Sequence, residues 1–558
     1  MSAPATTTSV VTARPPWWAR HYTFTGTVVG LVFLWLSLTP SLLPRGPLFQ
    51  GLVSGGSGAI GYALGVFSVW LVRFMASKDT SPPPPRWAWL VLVPTATAVH
   101  IWVVWTIHGW QDQIRDLMGV PRLTWYNYPQ AGAIAVVTLF VLVEIGQVIR
   151  KLIRFLMRQL ERVAPPRVSA VVAVSLLMAL LLAVLNGVVV KAAMNAMNST
   201  FGAVNEETSP DRAAPSTRLR SGGPESLVSW ESLGHQGRIF VASGPTVAQL
   251  SQFNGAPAVE PIRAYAGLNS ADGIKATAEL AAAELARTGG LARAVVAVAT
   301  TTGTGWINEA QATALEYMYN GDIATVSMQY SFLPSWLSFL VDRENARQAG
   351  QALFEAVDKK VRALPENRRP KLVVFGESLG SFGAEASFMS LNNVLARTDG
   401  ALFTGPTFQN TIWTDLTVNR DSGSPRWLPI YHDGAAVRFV ARPQDLDRPG
   451  PWSTDSPRVV YLQHASDPIA WWHPDLLYKR PDWLKEPRGY DVLPQVHWTP
   501  IVTFLQVSAD MAVAIHVPAG HGHSYVADIA DAWAAILHPA AWTPDKTERL
   551  RPLLHANT

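Results

Sequence analysis

The chain has 558 residues and no cysteine, which excludes disulfides, a thiolate nucleophile and any Cys-based metal site. Its net charge of +4 is small and dispersed, which argues against a nucleic-acid partner. With 48% hydrophobic residues and a mean hydropathy of +0.13, it is too apolar for an ordinary soluble protein of this length. The apolar residues crowd into roughly the first 200, and the remainder has a globular pattern.

After a tail over 1–22, five stretches are long enough to cross a bilayer, which takes about 20 apolar residues. They are 23–43, 51–75, 87–110, 131–149 and 168–190. The first lacks an Ala-x-Ala cleavage site and is read as a retained helix rather than a signal peptide. Eleven basic residues fall on one side of the spans: Arg14, Arg20, Arg73, Lys78, Arg86, Arg150, Lys151, Arg154, Arg158, Arg162 and Arg167. Three fall on the other side, Arg45, Arg115 and Arg122. The positive-inside rule then predicts a multi-pass protein of the plasma membrane, with a cytoplasmic N-terminus and an extracytoplasmic C-terminal half. Gly51/Gly55 and Gly61/Gly65 repeat at four-residue spacing in the second span. Such stripes permit close helix approach, either within the chain or between copies in a homo-oligomer. Glu144 lies inside the fourth span, within reach of Arg150, so an ion pair competes with a functional role.

A transmembrane helical domain is therefore expected over 23–195 and a linker, rich in Asn, Ser, Thr, Pro and Gly and with room for a short amphipathic helix at its start, over 196–228. From 229 to the end the pattern alternates strands and helices, as a mainly parallel sheet with helices on both faces requires. Strands are expected at 236–242, 293–299, 323–329, 371–375, 401–404, 459–463 and 512–517. Helices are expected at 271–287, 308–319, 343–363, 498–510 and 525–537. The stretch 406–457, with Trp413, Trp427 and Trp452, has room for a cap insertion.

Three strand ends carry chemistry. The run KLVVFGESLG ends in Gly376-Glu377-Ser378-Leu379-Gly380. A Gly-x-Ser-x-Gly turn between strand and helix lifts the serine hydroxyl out of the sheet and aims the next backbone N–H, that of Leu379, at a developing oxyanion. The strand at 459–463 leads into Asp467, a candidate for the carboxylate that orients an imidazole. The segment at 512–517 leads into His521-Gly522-His523. One of these histidines is the candidate general base; His523, directly before an apolar helix, is favoured and His521 is the alternative. Ser, Asp, His is the chain order such a triad takes in this topology. The loop Thr301 to Gly305 follows an early strand and is placed to supply a second oxyanion N–H, from Thr302 or Gly303. Phe332 and Trp336 lie in one apolar loop and Trp471 and Trp472 in another; both loops read as substrate or lid surface, or as a patch that dips into lipid. No metal or cofactor is expected.

The hydrophobic N-terminal domain together with TTTGTGW, FGESLGSFG, QHASDPIAWW and GHGHSY resembles the membrane-anchored α/β-hydrolase family of high-GC Gram-positive bacteria over nearly the whole length. The resemblance implies an α/β-hydrolase fold fused to a multispanning domain, and it leaves the substrate open. The leading expectation is a serine esterase or lipase acting on a lipid or envelope acyl ester. An acyltransferase using the same triad is the near alternative. A transport or scaffold protein with a regulatory hydrolase-like domain is the distant one.

Overall fold

The computed structural model describes residues 22–77, 84–183, 190–209, 212–334, 337–338 and 341–556. The first part is helical: α1 (Phe24–Leu36), α2 (Pro47–Met75), α3 (Arg86–Leu117), α4 (Asn127–Leu160) and α5 (Pro166–Ala183). By length and composition α2, α3 and α4 can cross a membrane. That is fewer than the five spans expected. Helix α1 has 13 residues and reaches about 20 Å, short of a hydrocarbon core of about 30 Å. It stops at Leu36 because Pro40 disfavours helix before it, and residues 37–46 turn down onto the C-terminal half instead. The fifth expected span runs on into 184–189, which lie outside the described residues.

The glycines of α2 are occupied inside the chain. A Cβ on Gly55 would lie 2.6 Å from Ala135 O of α4, and one on Gly65 would lie 2.8 Å from Thr25 O of α1. This face is therefore covered by α1 and α4, and self-association through α2 would need another face. Glu144 accepts from Gln147 Nε2 at 3.3 Å, where the sequence had pointed to Arg150.

The C-terminal half is built on seven parallel strands, β1 (Ile262–Ala266), β2 (Val295–Thr300), β3 (Ile323–Met328), β4 (Lys371–Glu377), β5 (Gly400–Thr404), β6 (Val437–Val440) and β7 (Arg458–Leu462). Their order is β1-β3-β2-β4-β5-β7-β6. Nearly every strand residue is buried, the mark of a parallel sheet covered on both faces. From β2 the chain crosses towards β3, and from β4 it crosses the other way to β5, so the direction of winding reverses between β2 and β4. The register pairs Thr300 with Gly376, Glu377 with Thr404 and Thr404 with Leu462. Four carboxyl ends thus finish level, and their loops meet at one edge, where open α/β sheets hold their ligands.

Four expectations need correction. Residues 236–242 are not a strand; Gly234–Ala242 is a helix, with Gly234, Gly237, Arg238, Phe240 and Val241 buried at helical spacing. Residues 512–517 are not a strand; they continue as turns from the helix Val502–Met511, with Val513 N bonded to Asp510 O and His516 N to Val513 O. The edge place beside β7 is held by β6, which comes from the stretch expected to be a cap. Residues 196–228 are not a bare linker. The helix Val190–Glu206 stands where a short opening helix had room to form, but further on Arg220 bridges in parallel to Arg263 of β1 and ties the segment to the sheet.

The two halves touch directly. Leu42 N donates to Asp510 Oδ2 at 3.1 Å and Ser41 Oγ donates to the same oxygen. Arg45 Nε lies 3.4 Å from Asp510 Oδ1, with both side chains buried. Gln506 Nε2 donates to Ser37 O at 3.1 Å and Thr39 O at 2.9 Å. Leu42, Leu43, Ile114 and Met118 belong to the same apolar cluster as the sheet.

Candidate active site

Ser378 stands between β4 and the helix Leu379–Glu385 with φ 56° and ψ −121°. A non-glycine residue in this region is strained, and the surroundings hold it there. Ser378 N donates to Thr404 O at 2.9 Å. The flanking glycines are required by space. A Cβ on Gly376 would strike Gly380 O, and one on Gly380 would strike Thr300 O. The elbow is thereby pressed against the end of β2 and the loop that follows it. Leu379 is the first residue of its helix, so its N–H has no intrahelical acceptor.

Asp467 is fully buried. Its Oδ1 accepts from Ile469 N at 2.8 Å, capping the short helix Pro468–Trp471. Its Oδ2 accepts from Tyr525 Oη at 2.6 Å and is 2.7 Å from His523 Nδ1. The imidazole is thus fixed with Nδ1 towards the carboxylate. Its Nε2 is buried and has no hydrogen-bond partner among the described residues. The ring lies over Gly405: a Cβ there would collide with His523 Cε1 and sit 2.9 Å from Nδ1. Gly405 follows the residue whose carbonyl holds Ser378 N, so the end of β5 touches both groups. Burial works against the charged imidazole, but Asp467 and then Glu377 outweigh it and hold the His523 pKa above its ordinary value.

His521 is placed differently. It is partly exposed, and its Nδ1 is 3.4 Å from Asp491 Oδ2. Asp491 also accepts from Ser466 Oγ, which in turn accepts from Gly522 N at 2.8 Å. It is His523 that is bonded to Asp467.

The loop after β2 brings a further correction. Thr302 N donates to Trp306 O at 2.9 Å, so that N–H is already spent on closing the loop. Gly303 N has no such bond among the described residues, and of the two expected donors it is the one left available. A Cβ on Gly303 would strike Leu333 O and the Ser338 side chain, so the glycine is needed where these two residues lie against it.

The aromatic candidates separate. Trp471 is 3% exposed, donates from Nε1 to His464 O at 3.0 Å and packs between Trp413 and Trp483. It is core and not substrate surface, because the helix turn after Pro468 points it inward. Trp472 is half-buried, beside Phe408 and Phe504, with Nε1 bonded to Ser508 Oγ at 2.8 Å. Phe332 is half-buried, and Trp336 lies outside the described residues.

Sequence reasoning missed three residues. Tyr525 is the second donor to Asp467; it stands two positions after His523 within the quoted GHGHSY. Glu377, the residue before Ser378, is 9% exposed and accepts from Asn308 Nδ2. Burial pushes its carboxyl up, against the pull of His523 and of the Asn308 amide. Neither Glu377 nor Asn308 carried a signal, because the motif allows any residue at the second position.

This arrangement has the parts for nucleophilic acyl chemistry: a hydroxyl on a strained turn, an oriented imidazole with a free nitrogen and helix-start N–H groups. The family model of the alpha/beta-hydrolase family matches residues 262–550, just over half of the chain. The model of that family's N-terminus matches residues 38–245. Neither curated proteins nor solved structures gave a match. On the fold, the elbow and the matched length together, the chain belongs to this alpha/beta-hydrolase family, with a helical N-terminal part and a parallel-sheet C-terminal part.

Proposed function

We propose that the protein is a membrane-anchored serine hydrolase that cleaves a carboxylic ester, with a lipid or envelope acyl compound as substrate. Ser378 attacks the carbonyl and forms an acyl-enzyme. His523 Nε2 takes the serine proton and returns it to the leaving alcohol, and then activates water for the second step. Asp467 holds the ring and stabilises its protonated form, with Tyr525 fixing the carboxylate. The N–H groups of Leu379 and Gly303 receive the oxyanion. The observation that carries this reading is the 2.7 Å bond from His523 Nδ1 to Asp467, with Nε2 buried and unspent on a ring that lies over Gly405, next to the Thr404 carbonyl that holds Ser378 N.

The lipid preference rests on placement. The helix Val502–Met511 carries Phe504 and Ser508 against Trp472 and carries Gln506 and Asp510 against the loop between α1 and α2. The site is therefore held close to the membrane helices, on the side of Arg45 and Arg115. That side has few basic residues, which supports an extracytoplasmic site.

Labelling with a fluorophosphonate tests the chemistry. Purified full-length protein is expected to label at Ser378 and to hydrolyse long-chain esters in mixed micelles faster than short soluble ones. Absence of label, under conditions where a control lipase labels, overturns the reading. Equal rates on short and long chains would remove the lipid preference alone.

A further inference from the structure

The N-terminal part reaches both flanks of the site. On one flank, Leu43 is 1% exposed and fills the space over Gly522, between His521 and His523. A Cβ on Gly522, whose φ is 52°, would lie 2.7 Å from Ala514 O, 2.7 Å from Val517 Cγ2 and 3.3 Å from Leu43 Cδ2. The other sides of this loop are tied down as well: Gly522 O meets His464 Nδ1 at 2.9 Å, and His523 N donates to Ala514 O at 2.8 Å. Leu43 is held there by its neighbours, since Ser41, Leu42 and Arg45 all bind Asp510. On the other flank, Asn205 of the helix Val190–Glu206 accepts from Gln329 Nε2 at 2.8 Å. The same nitrogen donates to Thr304 O at 3.1 Å, and Tyr265 Oη donates to the next carbonyl, Gly305 O, at 2.8 Å. Both Leu43 and Asn205 fall inside the matched N-terminal region.

We propose that the N-terminal part is a positioning element of the active site as well as an anchor: Leu43 buttresses the loop that carries His523, and Asn205, through Gln329, braces the loop that carries Gly303. This rests on the reading of Ser378 and His523 given above. An anchor needs only covalent attachment. A buttress needs shape, because an imidazole displaced by a fraction of an ångström no longer meets the serine proton. The effect should therefore follow the volume at position 43, and it should reach Ser378, a residue Leu43 does not touch.

The test uses full-length protein in detergent micelles and measures the second-order rate of fluorophosphonate labelling against pH, corrected for the folded fraction. Leu43→Ala is expected to slow labelling roughly tenfold to a hundredfold. It should also move the acid limb of the profile to lower pH, because a loosened ring loses part of its hold on Asp467 and Glu377. Leu43→Met, of similar volume, should return within about threefold of the parent. Asn205→Ala should slow labelling several-fold and leave the acid limb in place. If Leu43→Ala fails to fold, Leu43→Val is expected to give a smaller slowing in the same direction. A folded Leu43→Ala or Leu43→Val variant that labels at the parental rate with an unmoved profile overturns the inference and leaves the serine-hydrolase reading intact. A parent that does not label overturns the serine-hydrolase reading itself.

Discussion

The two halves of the chain bury their side chains by opposite rules. In the C-terminal half the strands are closed on both faces, and the charges that enter are paired. Arg263 is fully buried and forked onto Glu316 at 2.8 and 2.9 Å. In the N-terminal half the large apolar groups of α3 face outward, with Leu90 74% and Trp105 72% exposed, as a helix in lipid would have them. The junction extends the C-terminal rule to the membrane helices. It places a charge pair, Arg45 and Asp510, in a contact sealed from solvent. Apolar pattern thus describes each half well, while the contact between them depends on a few specific polar groups.

The sharpest way to separate the halves is at Ser378. Ser378→Ala should lower ester hydrolysis by about ten-thousandfold and leave thermal unfolding in micelles unchanged, since the group touches chemistry and not the core. Asp467→Asn should cost about a thousandfold or more, read as kcat at saturating ester, because the amide can no longer hold the imidazole in the same tautomer. Tyr525→Phe removes one of the donors to Asp467 and should cost about tenfold or less. The acid limb of the parent should lie above the ordinary histidine value, since the base must be neutral and its pKa is held up by Asp467 and Glu377, and Asp467→Asn should move that limb down.

The elbow and Asp467 were legible because each obeys a local rule: a glycine pair forced by a tight turn, or a residue just after a strand. His523 stands behind an expected strand at 512–517 that the structure replaces with turns, so its reading rested on residue order alone. Strands β1 and β6 were not legible, because each carries an arginine at its second position. Arg263 is satisfied by Glu316, far along the chain. Arg438 is satisfied by Gly434 O and the Trp452 ring, so neither charge marks a surface. The run at 236–242 read as a strand from its Ile-Phe-Val core, yet packing Gly237 against the Tyr265 ring requires a helix. The choice between Thr302 and Gly303 was invisible, because it depends on which backbone N–H the loop spends on itself. The contact of Ser41, Leu42 and Arg45 with Asp510 joins the two ends of the chain, and no local pattern announces it.

That contact gives the next prediction. Arg45→Met leaves the Asp510 carboxylate buried without its cation and should destabilise by about 3–5 kcal/mol. The double variant Arg45→Met with Asp510→Leu should recover most of this, because burying two apolar groups avoids the desolvation that the pair must overcome. Thermal unfolding of the three proteins in one detergent measures it. A double variant no better than the single would mean that Ser41 and Leu42, which lose their acceptor in it, matter more than the ion pair.

The last effect, on stability rather than on activity, lies at Glu385, at the far end of the helix that starts after Ser378. It is fully buried and receives Tyr461 Oη at 2.8 Å, Asn410 Nδ2 at 3.2 Å, Ile412 N at 2.7 Å and Trp413 N at 3.2 Å. Burial raises its carboxyl from 4.5 to about 7, with those four donors pulling the other way. A group whose pKa is higher in the folded state favours folding while it is protonated. Its contribution is complete below the unfolded value near 4.5 and is lost as pH rises through about 7. Stability should therefore decline over that interval by up to about 3 kcal/mol. Glu385→Gln should flatten this part of the profile, because an amide has no proton to lose. The acid limb of activity should stay where it was, since that limb belongs to His523. If the two limbs moved together, Glu385 would be coupled to the His523 site through its helix, and burial alone would not explain its titration.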